Sequence, residues 1–323
     1  MRRKRRVLPL AVVAVLVALN AALIALLLQS QSQVIAEPAG QLTFGSVSPT
    51  ESAPTRPAQE ESPSVSTVPS PSSTPPTDRK VAVPTRLLLA TSATSAWRAS
   101  VGACKTQGRI ERSTDGGKSW QQAVKATQGP IVQLGVESNG NLYTVGGAGE
   151  DCSMRYISYS KEGVIAGQTD KPLGIWSRDP KDPDQIQGPA SARATPCKGQ
   201  YVVGLASLSA SEALVVCTGG LVMVTSNSGK SWKKSDELVG TMAVSSGGGH
   251  YWVAGIGENC RGISVRSFTF TKGKLSRGRS SCATDLPVTP GQIAIGANDK
   301  SIWLWAGNEV HVSTDRGKTW QAR

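Results

Sequence analysis

One eight-residue pattern occurs three times in this chain, and no other feature of its 323 residues restricts the fold as strongly. The segments STDGGKSW (113–120), TSNSGKSW (225–232) and STDRGKTW (313–320) share the form Ser/Thr-x-Asp/Asn-x-Gly-x-Ser/Thr-Trp. Each follows a short run suited to a strand: GRIER, LVMV or EVHV. Recurrence of so specific an octapeptide marks a repeated supersecondary unit. Its chemistry is that of a hairpin turn. The short side chains of Asp115, Asn227 and Asp315 accept hydrogen bonds from backbone N–H groups ahead of them, and the hydroxyls of Ser113, Thr225 and Ser313 add another. Gly117, Gly229 and Gly317 stand where positive φ is needed, which a residue bearing Cβ resists. Trp120, Trp232 and Trp320 open the next strand with a large apolar surface suited to wedging between neighbouring sheets. All twelve residues are read as structural.

These octapeptides resemble the Asp-box, or BNR, repeats of a family of β-propellers. That family includes sialidases, sortilin-type receptors and photosystem II assembly factor-type propellers. The resemblance covers roughly residues 86–323, and the chain as a whole resembles the exported, membrane-anchored members of actinobacterial type. It implies an all-β propeller with each box on the turn between the third and fourth strands of a blade, on the rim away from the ligand-binding face. A shared fold says little about function.

The remaining strands are sought as paired apolar runs separated by turn residues. Five such pairs occur, at 86–102, 131–147, 201–217, 241–255 and 292–307. Three lead into a full box; the second leads to SYSKEG (158–163) and the fourth to SFTFTKG (267–273), read as degenerate boxes without Asp and Trp. The first runs begin 45, 70, 40 and 51 residues apart, and the long interval holds the apparent insertion 174–199. A blade takes about 40–50 residues. The expectation is five blades, or six if the insertion hides a degenerate sheet.

Ahead of this domain the composition changes twice. MRRKRR (1–6) is a basic tail, and Val7–Leu28 is an apolar run of 22 residues broken only by Pro9 and Asn20, long enough to span a bilayer core of about 30 Å as a helix. A cleavable signal peptide has a shorter apolar stretch beside its cleavage site, so an uncleaved signal anchor is expected. The tail would then be cytoplasmic and the C-terminal bulk extracellular at the plasma membrane. Residues 29–84 are rich in Pro, Ser and Thr and too poor in large apolar side chains to offset chain entropy, so a disordered stalk is expected. The propeller is expected over 85–323, as a monomer. Of the net +12, this last region carries 27 basic and 18 acidic residues, a net of +9. Such a surface admits an anionic partner, but the dispersed charges and external location argue against nucleic acid.

All six cysteines lie in the β domain, with no CxxC pair and only two histidines in the chain. That pattern argues against structural zinc and for disulfides in an exported domain. Fifteen pairings are open; short separations and repeat positions favour Cys104–Cys152, Cys197–Cys217 and Cys260–Cys282. Cys104, Cys152 and Cys260 follow the second strands of their blades, which places them on the face opposite the boxes.

The resemblance raises sialidase chemistry, which needs three arginines on a substrate carboxylate, a Tyr–Glu nucleophile and an acid. The family's Arg-Ile-Pro type motif is missing: Arg109-Ile110 is followed by Glu111. Tyr143, Tyr201 and Tyr251 fall in alternating strands, where packing is the default. Asp179, Asp182 and Asp184 could ligate calcium, but Lys181 intrudes and the loop lacks EF-hand glycine and glutamate, so a solvated turn is favoured. His250 and His311 stand alone. Trp303 and Trp305 point the same way from one strand, and Trp252 adjoins Tyr251; stacking on sugars is weighed against packing between blades. No catalytic, cofactor-binding or metal site is assigned. The resulting expectation is a membrane-anchored, extracytoplasmic module that binds a cell-surface protein or glycan without catalysis. An exo-sialidase-like glycosidase and a scaffold factor for assembling a membrane complex are the alternatives.

Overall fold

The computed structural model describes residues 83–323 apart from 171–173, 191, 258 and 272. The anchor expected at 7–28 and the stalk at 29–84, except for its last two residues, lie outside the described residues. Among the described residues no helix is long and apolar enough to cross a membrane. The architecture is an all-β propeller of six blades, each an antiparallel sheet of consecutive strands.

Blade 1 holds β1 (Arg86–Ala90), β2 (Ala96–Ser100), β3 (Arg109–Ser113) and β4 (Gln121–Gln122). Blade 2 holds β5 (Ile131–Val136), β6 (Leu142–Ala148), β7 (Ser153–Tyr159) and β8 (Ile165–Thr169). Blade 3 has only β9 (Ser177–Arg178), β10 (Ile186–Gln187) and β11 (Arg193–Ala194). Blade 4 holds β12 (Val202–Ser207), β13 (Ala213–Cys217), β14 (Leu221–Thr225) and β15 (Lys233–Glu237). Blade 5 holds β16 (Thr241–Gly247), β17 (His250–Gly255), β18 (Gly262–Thr271) and β19 (Lys274–Thr284), and blade 6 holds β20 (Ile293–Ala297), β21 (Ile302–Ala306), β22 (Glu309–Ser313) and β23 (Gln321–Ala322). The inner strands β1, β5, β9, β12, β16 and β20 are neighbours in that order, and β20 meets β1, so the ring closes.

Of the two expected counts, five or six, the second holds. Residues 174–199 are not an insertion but the third blade, with two-residue strands too short to show any periodicity. This blade is also inverted. Trp176, just before β9, donates its Nε1–H to Ser209 O in the β12–β13 turn at 3.0 Å. Beyond β9, Pro183 O accepts from Val202 N at the start of β12. Thus β9 runs against β12, and β9–β11 act as the second to fourth strands of a blade whose first strand is missing.

Central strands are buried on both sides because each sheet packs between two others, and period 2 divides their side chains. On β21, Ile302, Leu304 and Ala306 pack toward blade 5, while Trp303 and Trp305 pack toward blade 1. On β13, Leu214 and Val216 face blade 5, while Ala213, Val215 and Cys217 face blade 3. Both sets are apolar, so a strand that alternates in contacts reads in sequence as a continuous apolar run.

All three boxes lie between third and fourth strands. In the first, Ser113 Oγ donates to Asp115 Oδ1 (2.8 Å) and accepts from Gly117 N (2.9 Å), while Asp115 accepts from Ser119 N (3.1 Å) and Ser119 Oγ (2.6 Å). The third repeats this with Ser313, Asp315, Gly317 and Thr319. In the second, Asn227 Oδ1 accepts from Thr225 Oγ1 and Ser231 N, and Asn227 Nδ2 donates to Ser231 Oγ. Gly117 has φ 93° and Gly229 φ 84°, and a Cβ at either would sit about 3.1–3.2 Å from the ring of Trp303 or Trp176 in the preceding blade. The box tryptophans meet that same blade. Trp120 crosses Trp303 edge-on at 6.2 Å, Trp232 crosses Trp176 at 5.9 Å, and Trp320 packs on the apolar cluster between blades 5 and 6. Each box thus closes its own turn and clamps the blade before it.

The same hydrogen bonds hold two carboxylates well below the ordinary range. For Asp115 the Ser119 hydroxyl contributes most, and for Asp315 the backbone N–H of Thr319. A carboxylate with a depressed folded-state pKa adds stability above its unfolded value, near 4, and loses it as pH falls toward the folded value. Asn227 makes equivalent bonds without titrating. The double variant Asp115→Asn, Asp315→Asn is therefore expected to lose less stability between pH 6 and pH 3 than the parent, read as the shift of the urea midpoint. An unchanged acid dependence would show that these bonds are not what titrates.

Candidate functional site

In an antiparallel four-stranded blade, turns after strands one and three leave from one side and turns after strands two and four from the other. The boxes occupy the first side. The three disulfides lie on the second: Cys104–Cys152, Cys197–Cys217 and Cys260–Cys282, the pairs their separations suggest. Cys104 follows β2 and Cys152 follows β6, so their bond joins blades 1 and 2. Cys197 follows β11 and Cys217 ends β13, joining blades 3 and 4. Cys260–Cys282 lies within blade 5. One face is therefore occupied by self-satisfied turns, and the other carries cross-linked loops.

Beside Cys104–Cys152 these loops enclose a recess of about 420 Å³. Its wall is polar, with Lys105, Gln107, Gln128, Gln168 and Arg155 among the lining side chains. Gln128 is buried and donates its Nε2–H groups to Thr144 Oγ1 (3.1 Å) and Arg155 O (3.0 Å), which leaves its carbonyl Oε1 without a protein partner. Backbone at Gly129, Gly147 and Gly149 also borders the recess. Such a surface offers both donors and acceptors, which suits a peptide backbone or a polyhydroxylated ligand.

A second cavity, of about 160 Å³, runs along the propeller axis between the inner strands. Arg86 and Arg178 are its charged lining residues, and among the described residues no carboxylate lines it. Arg86 donates to Gly307 O and, from Nη2, to Gln292 Oε1 at 3.4 Å. Its guanidinium lies 4.4 Å from the centre of the Trp305 ring, and burial together with the nearby Arg98 cation lowers its pKa. Arg98 in turn stacks over Trp120 and Trp305 and pairs with Glu111 at 2.7 Å. These cations belong to the joint between blades 6 and 1.

The other residues singled out by sequence take varied places. Trp303 and Trp305 are buried against blade 1, so blade packing, not sugar stacking, accounts for them. Trp252 is buried and donates to Gly247 O, with His250 stacked on it at 5.9 Å. Tyr251 is fully buried, but Tyr201 is 52 % exposed, which corrects the packing expected for it: it precedes β12 at the rim and its ring has left the sheet. Tyr143 stacks on Tyr156 at 5.2 Å. His311 is buried beside Glu309, 3.4 Å away. Asp179 Oδ1 accepts from the backbone N–H of Lys181 and Asp182, which makes the acidic stretch an Asx turn. Among the described residues no group of three or more His, Cys, Asp or Glu side chains is placed to share a metal ion.

Sequence reading passed over two features. Tyr156 donates its hydroxyl to Glu137 at 2.5 Å, a Tyr–Glu pair of the kind that sialidase chemistry uses. Burial and the adjacent carboxylate push the phenol upward, away from the ionised state a nucleophile needs. The pair lies in blade 2 and neither residue lines the axial cavity where Arg86 and Arg178 lie. The other feature is Arg178 itself, set in a two-residue strand where no pattern marks an inward-facing residue.

No family model matches the chain, and no curated protein matches it. Solved structures do. One described as YCF48 bound to D1 peptide is 13 % identical, with 76 % of this chain and 82 % of that one covered and a TM-score of 0.40. The WD40 β-propeller domain of Doa1 is 14 % identical, with 75 % and 97 % covered and a TM-score of 0.41. A putative 6-phosphogluconolactonase from Bacteroides uniformis is 10 % identical, with 73 % and 83 % covered and a TM-score of 0.42.

Proposed function

We propose that this protein is an Asp-box propeller that recognises a cell-surface protein or glycan through the face opposite its boxes, without catalysis. The observation that carries this reading is the Cys104–Cys152 bond, which ties together two loops that wall the polar recess. Cross-linking loops before a ligand arrives lowers the ordering cost of binding. The unpartnered Gln128 Oε1 and exposed Lys105 give the recess specific polar groups to offer. We further propose that residues 7–28 anchor the chain in the plasma membrane and that 29–84 hold the propeller away from it. Two carboxyl-terminal thirds of such a chain would then work in an oxidising space, in keeping with three disulfides.

A photo-crosslinking side chain placed at Lys105 of the full-length protein in intact cells tests the reading, with the same probe at Lys118 in the first box as its counterpart. Discrete adducts from position 105 and none from 118 are expected. Adducts from 118 alone would overturn the choice of face, and turnover of a fluorogenic sialoside by the purified protein would overturn the absence of catalysis.

A further inference from the structure

Arg178 is 6 % exposed and lines the axial cavity, yet among the described residues it has no ion pair. Its one hydrogen bond there runs from Nη1 to Val202 O at 3.4 Å. A guanidinium has five N–H donors, so most of its hydrogen-bonding capacity is not met by the described residues. An isolated buried cation is among the costliest groups a fold can contain. The cost is visible in the arginine itself, whose pKa burial pushes down to about 10. The inversion of blade 3 explains the placement. With the usual first strand missing, the two-residue β9 stands at the axis, and Arg178 on it borders the cavity.

Arg86 also borders this cavity, with its guanidinium engaged at the joint between blades 6 and 1, and among the described residues no carboxylate lines it. Its remaining wall mixes apolar side chains, such as Val132, Leu134 and Val203, with the polar Gln133, Ser245 and Ser246. One guanidinium without an ion pair calls for one negative charge, and a doubly charged oxyanion would lose more of its hydration in so small a space. We propose that the axial cavity holds one small monovalent anion, of the halide or nitrate class, as counter-ion to Arg178. The anion accepts the free guanidinium N–H groups, and the protein gains in its folded state the compensation that the described residues do not supply. This site is independent of the recess on the cross-linked face and does not rest on the recognition reading.

Because such an anion binds the folded state only, it raises stability by mass action. Full-length protein is melted at constant ionic strength while chloride replaces gluconate, a bulky and strongly hydrated anion. At chloride a hundredfold above its dissociation constant, Tm is expected to rise by roughly 5–10 °C, with nitrate acting alike. Arg178→Met removes the charge and keeps the stem. It is expected to melt above the parent in gluconate and to show no chloride dependence. A parent Tm indifferent to chloride, an equal chloride response in Arg178→Met, or a larger Arg178-dependent response to sulfate would each overturn the proposal. Should Arg178→Met fail to fold, chlorine NMR of the parent decides. Broadening of the chloride signal that nitrate removes supports the site, and a linewidth equal to that of protein-free buffer rejects it.

Discussion

Replacing Trp303 with alanine is expected to lower the unfolding free energy by about 3–5 kcal/mol, the range for a large aromatic removed from a packed core. The ring is fully buried, crosses Trp120 edge-on and donates its Nε1–H to Ser92 O at 3.1 Å. It joins the first blade to the last, and none of the three disulfides among the described residues crosses that joint. Trp120→Ala, at a half-buried site, should cost less, and Trp303→Phe should cost about 1 kcal/mol for the lost hydrogen bond plus a smaller packing loss. Urea denaturation followed by tryptophan fluorescence checks the order. A loss below about 1 kcal/mol for Trp303→Ala would mean that the closing joint does not depend on this wedge.

The second large effect belongs to Cys104–Cys152. Its 48-residue separation is the longest of the three, against 20 and 22 for the others. Chain entropy restored to the unfolded state on removing it amounts to roughly 4 kcal/mol, and to roughly 3 kcal/mol for either shorter loop. The double variant Cys104→Ser, Cys152→Ser is thus expected to be the least stable of three such pairs. Since the bond joins two blades, its loss should also speed protease cleavage in 103–107 and 149–152, which loss of Cys260–Cys282 should not. Equal stability among the three double variants would remove the loop-length argument for this protein.

Much of this architecture was legible because one device was repeated. The boxes announce a turn, a positive-φ glycine and an aromatic wedge in eight consecutive residues, so the third and fourth strands of blades 1, 4 and 6 were located directly. The degenerate turns of blades 2 and 5 kept only a glycine, and they were placed by spacing. Blade 3 stayed open between an insertion and a degenerate sheet because its strands of two residues carry neither alternation nor a box, and its Pro-rich stretch looks like loop. The same brevity hid Arg178: whether a residue on such a strand faces the axis depends on how the neighbouring blades frame it, which no local pattern records. Gln128 and Lys105 were invisible for a related reason. They come together only when the β2–β3 and β4–β5 connections, which place them 23 positions apart, are brought to one rim. The cysteine pairs were easier, since two of the three link residues close in sequence.

The joints of the ring are not equal. Clusters of buried apolar side chains bridge blades 1 and 2, 3 and 4, 4 and 5, 5 and 6, and 6 and 1. Among the described residues no such cluster bridges blades 2 and 3, where Cys152 Sγ lies 3.9 Å from Pro180 O. A closed circle gives way at its poorest seam, and here that seam lies between blades 2 and 3 and not at the joint of blades 6 and 1. Gentle heating should therefore spread the molecule into a crescent, with amide exchange appearing first along β8 and β9 while the terminal blades are still clasped together.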